Sequence, residues 1–470
     1  MDDNTKAIAK LKRNSRKWPT EVGLNSFKNW LLKNLPATVT LWLFRNILVK
    51  SEYMLKRESV KFFQYGNAAY GANQQRICDR MLVVAFGLIS QDLDADYVVL
   101  IRNSVRLTLR DSKKRSEVSV ALLVATKRLE ISTFDATCWY QLSRGLFSLG
   151  YFRAAWVARE NSLDLSILEG TKENTSSNVL LRRIEAHLER SEISEVNKVL
   201  TASRSKITSK RLMDFETVLY LLKHSENHSS HCVDSVYRKN YDLFRELMTN
   251  KTVAIVGPGA PHGNYRKEID EYETVIRLKF IGNELLDSHG HHGTRTDVSF
   301  IGSISALKLQ ESVLRDDFAN FRLILSSNTS TGSIGSVPIY EIEDDDVIYR
   351  TPTTSGIRTL KEVIKFAPSK LKVFGFDFYS SLTPYSKEMT RFYEESSWRF
   401  GHPNDFVSNS IYFKFVRAKD FSSHDPVSNF CFAQNLYRAG LFDIESHGKS
   451  ILELTPYQYV ERLEEMLGDW

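Results

Sequence analysis

The chain is poor in cysteine and has no long apolar run. Its four cysteines, Cys78, Cys138, Cys232 and Cys431, are scattered through 470 residues, so neither a CxxC zinc pair nor a dense disulfide framework is present. A reducing compartment is the easier reading. The start, "MDDNTKAIAKLKRNSRKW", lacks the apolar core of a signal peptide, and the longest early apolar run, "TVTLWLF" (Thr38 to Phe44), stops at Arg45. No membrane-spanning helix is therefore expected. Charge of one sign is not in great excess: the formal net charge is +6. What excess exists is local, because the first 60 residues hold 12 Lys and Arg against 5 Asp and Glu. That basic stretch contains no recognisable base-reading module, so nucleic acid is not expected as a partner.

What is present describes a globular chain. With 42% hydrophobic and 26% charged residues, disorder is not the default and the length suffices for more than one core. Residues 1–65 form a basic amphipathic segment. In it, Trp30, Leu31, Leu32, Leu35, Trp42, Leu43 and Phe44 alternate with Lys28, Lys33, Arg45 and Lys50. Such a stretch is either helix core with a solvated lysine face or a surface for anionic membrane. Residues 66–225 carry apolar residues at helical spacing and few β-branched runs, which predicts a helical domain. Within it "WYQLSRGLFSLGYFRAAWVARENSL" places Trp139, Leu142, Gly150 and Ala155 as a tetratricopeptide helix pair would, although no second copy follows about 34 residues on. Residues 226–250 read as a linker after the polar "KHSENHSSHCVDS", whose His224, His228 and His231 lack the carboxylate and cysteine partners of a metal site.

After Lys251 the texture changes. Short apolar runs, "VAIVG", "TVIRLKF", "DVSFIG", "FRLILSS", "DVIYR" and "LKVFGFDF", alternate with longer segments such as "GIRTLKEVIKFA". This predicts an α/β domain over 251–470, a Rossmann-like, mostly parallel sheet flanked by helices. Ligands in such folds sit at the carboxyl ends of the strands. Gly257 and Gly259 form a turn after the first run, but His262 stands where a dinucleotide fingerprint needs its third glycine. "TPTTSG" is a helix-capping sequence whose hydroxyls and N–H groups suit phosphate and ribose oxygens. The acidic "EDDD" (Glu343 to Asp346) reads as a solvated turn, and no metal is expected.

Three segments in order resemble the motifs of the animal-type sialyltransferase family. "VAIVGPGAPHGNYRKEIDEYETVIRLKF" is similar to its large motif through Val256-Gly257, Gly263, Glu268-Ile269-Asp270 and Val275 to Leu278, and "GTRTDVSFI" (Gly293 to Ile301) looks like the segment that follows. "TPTTSGIRTL" with "LKVFGFDF" resembles the small motif through Thr354, Ser355, Gly356, Gly375 and Phe376. "HDPVSNFCFAQNLYRAGLF" resembles the very small motif, in which a histidine, here His424, opens a helix. Pro258 and Lys279 stand where the family carries asparagines, Asn429 lies near the place of its glutamate, and its paired cysteines are missing.

The resemblance implies a glycosyltransferase that moves an acidic sugar, sialic acid or a related 2-keto sugar acid, from its CMP donor to a glycan or glycolipid hydroxyl. His424 would be the general base. Gly257, Pro258, Gly259, Lys279, Thr354, Ser355, Gly356, Gly375 and Phe376 would hold the donor, with Arg277 either adding positive charge or serving structurally. No cofactor beyond the CMP-sugar is implied. The missing cysteines fit a cytoplasmic protein, peripheral on the membrane if the N-terminus binds it. Two other readings stay open. A transferase of CMP-3-deoxy-octulosonic acid would use the same nucleotide, and a retaining one would need a carboxylate nucleophile, for which Asp270, Asp297 and Asp377 are candidates. A helical-repeat binding scaffold with a degenerate nucleotide domain is the non-enzymatic alternative.

Overall fold

The computed structural model describes residues 112–148, 150–172, 175–223, 240–259, 262–280, 291–301, 320–327, 333–334, 336–342, 353–381 and 424–468. The basic segment 1–65, the helical expectation as far as residue 111, the histidine-rich start of the linker, "DVIYR" and "EDDD" lie outside these residues. The chain divides into two compact units after Arg128. Of the first unit, helix Ser112–Arg128 is described.

Within the second unit, Ala136–Ser148, Phe152–Glu169, Ser177–Glu189, Ile193–Ser203 and Ser209–Lys223 are helices in succession. The first two are the pair expected around Trp139. Asp135 caps the first by accepting from the Cys138 N–H at 2.7 Å. Gly150 makes the turn with φ +80°, which a side chain would strain. Trp139 is fully buried against Phe134, ring centres 5.1 Å apart. The end of the stretch read as linker is also helical: Tyr241–Met248 buries Phe244, Leu247 and Met248. Phe244 stacks on Tyr340 at 4.5 Å.

Beyond it the apolar runs form a sheet. The strands are β1 (Thr252–Val256), β2 (Thr274–Leu278), β3 (Val298–Phe300), β4 (Leu323–Ser326), β5 (Ser333–Ile334), β6 (Val337–Glu341), β7 (Lys370–Phe374) and β8 (Asp443–Ile444). Among the described residues they make one eight-stranded sheet in the order β5-β6-β4-β3-β2-β1-β7-β8. All neighbours pair in parallel except the short edge strand β5. β2, β3 and β4 are buried along their whole length, which is why they do not alternate strictly between apolar and polar residues. β6 escapes the sequence reading, since Pro338 in a strand argues against one. Here that proline faces the two-residue edge strand.

The strand order decides where a ligand can sit. From β1 the chain steps outward through β2, β3, β4 and β6, then returns to place β7 on the other side of β1. The crevice of a parallel sheet opens where the winding reverses, at the strands' carboxyl ends. Register aligns those ends, because Val256 lies beside both Arg277 and Phe374.

Candidate functional site

A cleft of about 160 Å³ occupies that reversal point. Pro258 and Gly259 enter it from the turn after β1, Leu278 and Lys279 from the end of β2, and Gly375 to Tyr379 from the turn after β7. Two helices bring their N-termini to it: Ser355–Ile364 contributes Thr354 to Ile357, and Pro426–Arg438 contributes His424, Pro426 and Asn429. Aligned peptide dipoles place partial positive charge at both helix starts. With Lys279 among its lining residues, the cleft joins a lysine and two helix starts, which favour an anion, to the Asp377 carboxylate, which opposes one, and to a neutral aromatic wall in Phe376.

The backbone around the cleft is held in uncommon conformations. Lys279, Phe378 and Tyr379 all have left-handed φ, at 55°, 48° and 65°, and Gly375 has φ +66°. Each non-glycine residue there costs on the order of 1 kcal/mol, so the surroundings must over-determine it. Asp377 does part of this by accepting from the Tyr379 N–H at 3.0 Å, while its carbonyl accepts from the Ser380 N–H at 2.8 Å.

The glycines serve close packing of one turn on another. The Gly257 N–H donates to the Phe374 carbonyl at 2.7 Å and the Gly259 N–H to the Gly375 carbonyl at 3.1 Å. A Cβ at Gly257 would lie 2.5 Å from the Gly375 oxygen, and one at Gly356 would lie 2.4 Å from the Phe376 ring. The Phe376 ring is thus wedged between the β1 turn and the start of helix Ser355–Ile364. Gly257 itself supports the cleft from behind and does not line it.

Asn429, a residue the sequence reading left without a role, joins the two helix starts. Its Oδ1 accepts from the Thr354 N–H at 2.9 Å, and its Nδ2 donates to the Asp425 carbonyl at 2.7 Å. The usable signal was helical spacing: four residues after Asp425, it returns to the same first turn. Asp425, the N-cap, accepts from the Ser428 N–H at 3.2 Å. Burial would push its carboxyl pKa up, but the Arg159 and Arg144 charges outweigh this and hold it well below the usual carboxylate range.

Of the residues singled out from sequence, the cleft gathers Pro258, Gly259, Lys279, Thr354, Ser355, Gly356, Gly375, Phe376, Asp377 and His424. Asp270 and Asp297 stand elsewhere, by the amino ends of the strands. Asp297 accepts from the Val275 N–H at 2.8 Å as β2 begins, and Asp270 accepts from the Arg295 N–H at 3.3 Å. Neither is in position to attack a substrate in the cleft. Arg277 is also structural: its guanidinium donates to the carbonyls of His292, Gly293 and Arg295 at 3.1, 3.3 and 3.0 Å, pinning the loop before β3. Burial pulls its pKa down to about 10, with Asp270 opposing.

Among the described residues, no group of three or more His, Cys, Asp or Glu side chains is arranged to hold a metal ion, and no helix is long and apolar enough to cross a membrane. No family model matches the chain, and no curated protein or solved structure shows significant similarity to it.

Proposed function

We propose that the cleft binds a CMP-activated acidic sugar and that the protein is a glycosyltransferase with a Rossmann-like donor domain. The observation that carries this reading is convergence. Three segments separated by long stretches of chain, and matched to the large, small and very small motifs by their residues and order, supply Gly259, Thr354 to Gly356 and His424 to one cleft at the switch point of the sheet. Helical N-termini and Lys279 favour a ligand that carries a phosphate and a carboxylate. The aromatic wall of Phe376 suits a base or a sugar face.

The chemistry follows from the donor. The bond from the anomeric carbon to the phosphate oxygen breaks as the bond to the acceptor oxygen forms, and CMP leaves with the electron pair. The site must stabilise negative charge growing on that phosphate, the task of Lys279 and the start of helix Ser355–Ile364. The acceptor hydroxyl must lose its proton, and the His424 imidazole is the general base on the cleft wall. Direct attack inverts the anomeric centre. A retaining route, as for an octulosonic acid transferase, would use Asp377, the candidate carboxylate that lines the cleft. The acceptor is a glycan or glycolipid, and the basic residues of 1–65 would hold the protein at an anionic membrane.

Incubation with CMP-sialic acid and with CMP-octulosonic acid, followed by measurement of released CMP, tests the reading. Release from one of them is expected, and absence of both turnover and CMP binding rejects it in favour of a binding scaffold. In His424→Ala, transfer should drop by roughly two orders of magnitude while CMP binding persists. Unchanged transfer would remove His424 from the role of base.

A further inference from the structure

The helical part of the second unit is joined to the cleft through a buried charge cluster. Arg159, on helix Phe152–Glu169, is 1% exposed and Asp425 is 0% exposed. Asp425 is read from two sides. Its Oδ1 accepts from the Ser428 N–H of its own helix and lies 4.0 Å from Arg144 Nη1, while its Oδ2 accepts from Arg159 Nη1 at 2.8 Å and from the Tyr140 hydroxyl at 3.0 Å. Glu189, on helix Ser177–Glu189, accepts from Arg159 Nε and from Nη2 at 2.7 Å, and Nη2 also donates to the Ser428 hydroxyl at 2.5 Å. The carboxylate cannot turn to follow one partner without leaving the other.

We propose that Arg159 is a positioning residue for the cleft: its pair with Asp425 sets the first turn of helix Pro426–Arg438, and with it His424 and Asn429. The functional consequence rests on the reading of His424 as the base. Stability is a weak reason for such a cluster, because the cost of desolvating buried charges about cancels their attraction and an apolar core would hold the helices as well. Direction is what an apolar core lacks. The planar, forked guanidinium accepts one arrangement of two carboxylates, and so specifies one placement of the helix start. From there the order passes by Asn429 to the Thr354 N–H, which is on the other wall of the cleft. The helices before the sheet are in this way part of the site's architecture.

The test uses the full chain with Arg159→Gln and Arg159→Lys, and histidine labelled with nitrogen-15. The His424 cross-peak is identified by its loss in His424→Ala. In Arg159→Gln the peak should move and kcat for sugar transfer should fall by roughly tenfold or more, as expected for a misplaced catalytic group. CMP stoichiometry should stay at the wild-type value, and its Kd should weaken by less than kcat falls, since Gly259 and Lys279 reach the cleft from elements outside the Arg159 cluster. A purely structural role would lower CMP stoichiometry and rate together and leave the peak of the remaining folded protein in place, which would overturn the proposal. If Arg159→Gln does not fold, Arg159→Lys keeps the charge and loses the planar fork; an unmoved His424 peak with unchanged kcat in that variant would equally overturn it. If the wild-type protein binds no CMP, the donor reading falls, and the His424 peak still decides whether Arg159 positions that side chain.

Discussion

At the scale of single residues, Phe376 explains two of the glycines that sequence alone assigns to a phosphate. Its ring fills the space where Gly257 and Gly356 would carry side chains. Gly356→Ala should therefore destabilise the protein by about 1–3 kcal/mol through overpacking, read from urea melts, and Phe376→Leu in the same chain should return part of the loss. Lys279 combines a charge with a left-handed backbone. Lys279→Asn keeps a residue that tolerates this conformation and removes the ammonium. CMP affinity measured by calorimetry should then fall by about tenfold, the size of one lost charge-assisted hydrogen bond. Unchanged affinity would place the phosphate out of the lysine's reach. The residue types at the cleft were legible because glycine turns and capping hydroxyls are local signals. The reason for each glycine was not, since Phe376 is remote in sequence from both Gly257 and Gly356.

At the scale of elements, helix starts and loop packing make stability depend on pH. His447 opens a short helix and stacks on His262 at 3.5 Å, and its Nε2 is buried without a hydrogen-bond partner among the described residues. Burial, then the charges of His262 and Arg462, lower its pKa. Its neutral form is favoured in the fold, so its contribution is complete above the ordinary histidine value of about 6.5 and is lost as pH falls below it. Asp425, held low by Arg159 and Arg144 despite its burial, contributes fully above about pH 4 and loses that contribution as pH falls further. Thermal melts should be level from about pH 8 to 7, decline below about 6.5 and decline again below about 4. His447→Gln should flatten the first step and spare the second; a first step of unchanged size would assign it to other histidines.

At the scale of the whole molecule, the chain divides after Arg128, and the helices that follow belong with the sheet. Besides the Arg159 cluster, Arg153 pairs with Glu464 at 2.9 Å, and the Asn435 amide donates to the Leu188 carbonyl at 2.9 Å. Residues 129–470 alone should give a cooperative melt and bind CMP. Residues 251–470 should not, because Asp425 would lose its buried partners. Removing one member of a buried pair costs about 3–5 kcal/mol, a large part of a typical total stability. A cooperative melt from 251–470 would show that the helices are a detachable module. The sequence by itself determined the parallel sheet, its main strands, the helix pair around Trp139 and the three segments that meet at the cleft, since buried β-branched runs, capping sequences and turn glycines act within a few residues. Tertiary structure alone decided that Asp377 lines the cleft while Asp270 and Asp297 brace strand starts, that Arg277 clamps a loop, and that helices far back in the chain reach Asp425. Those outcomes turn on which remote groups share a buried, low-dielectric space, where a charge needs a partner and where spacing along the chain carries no information.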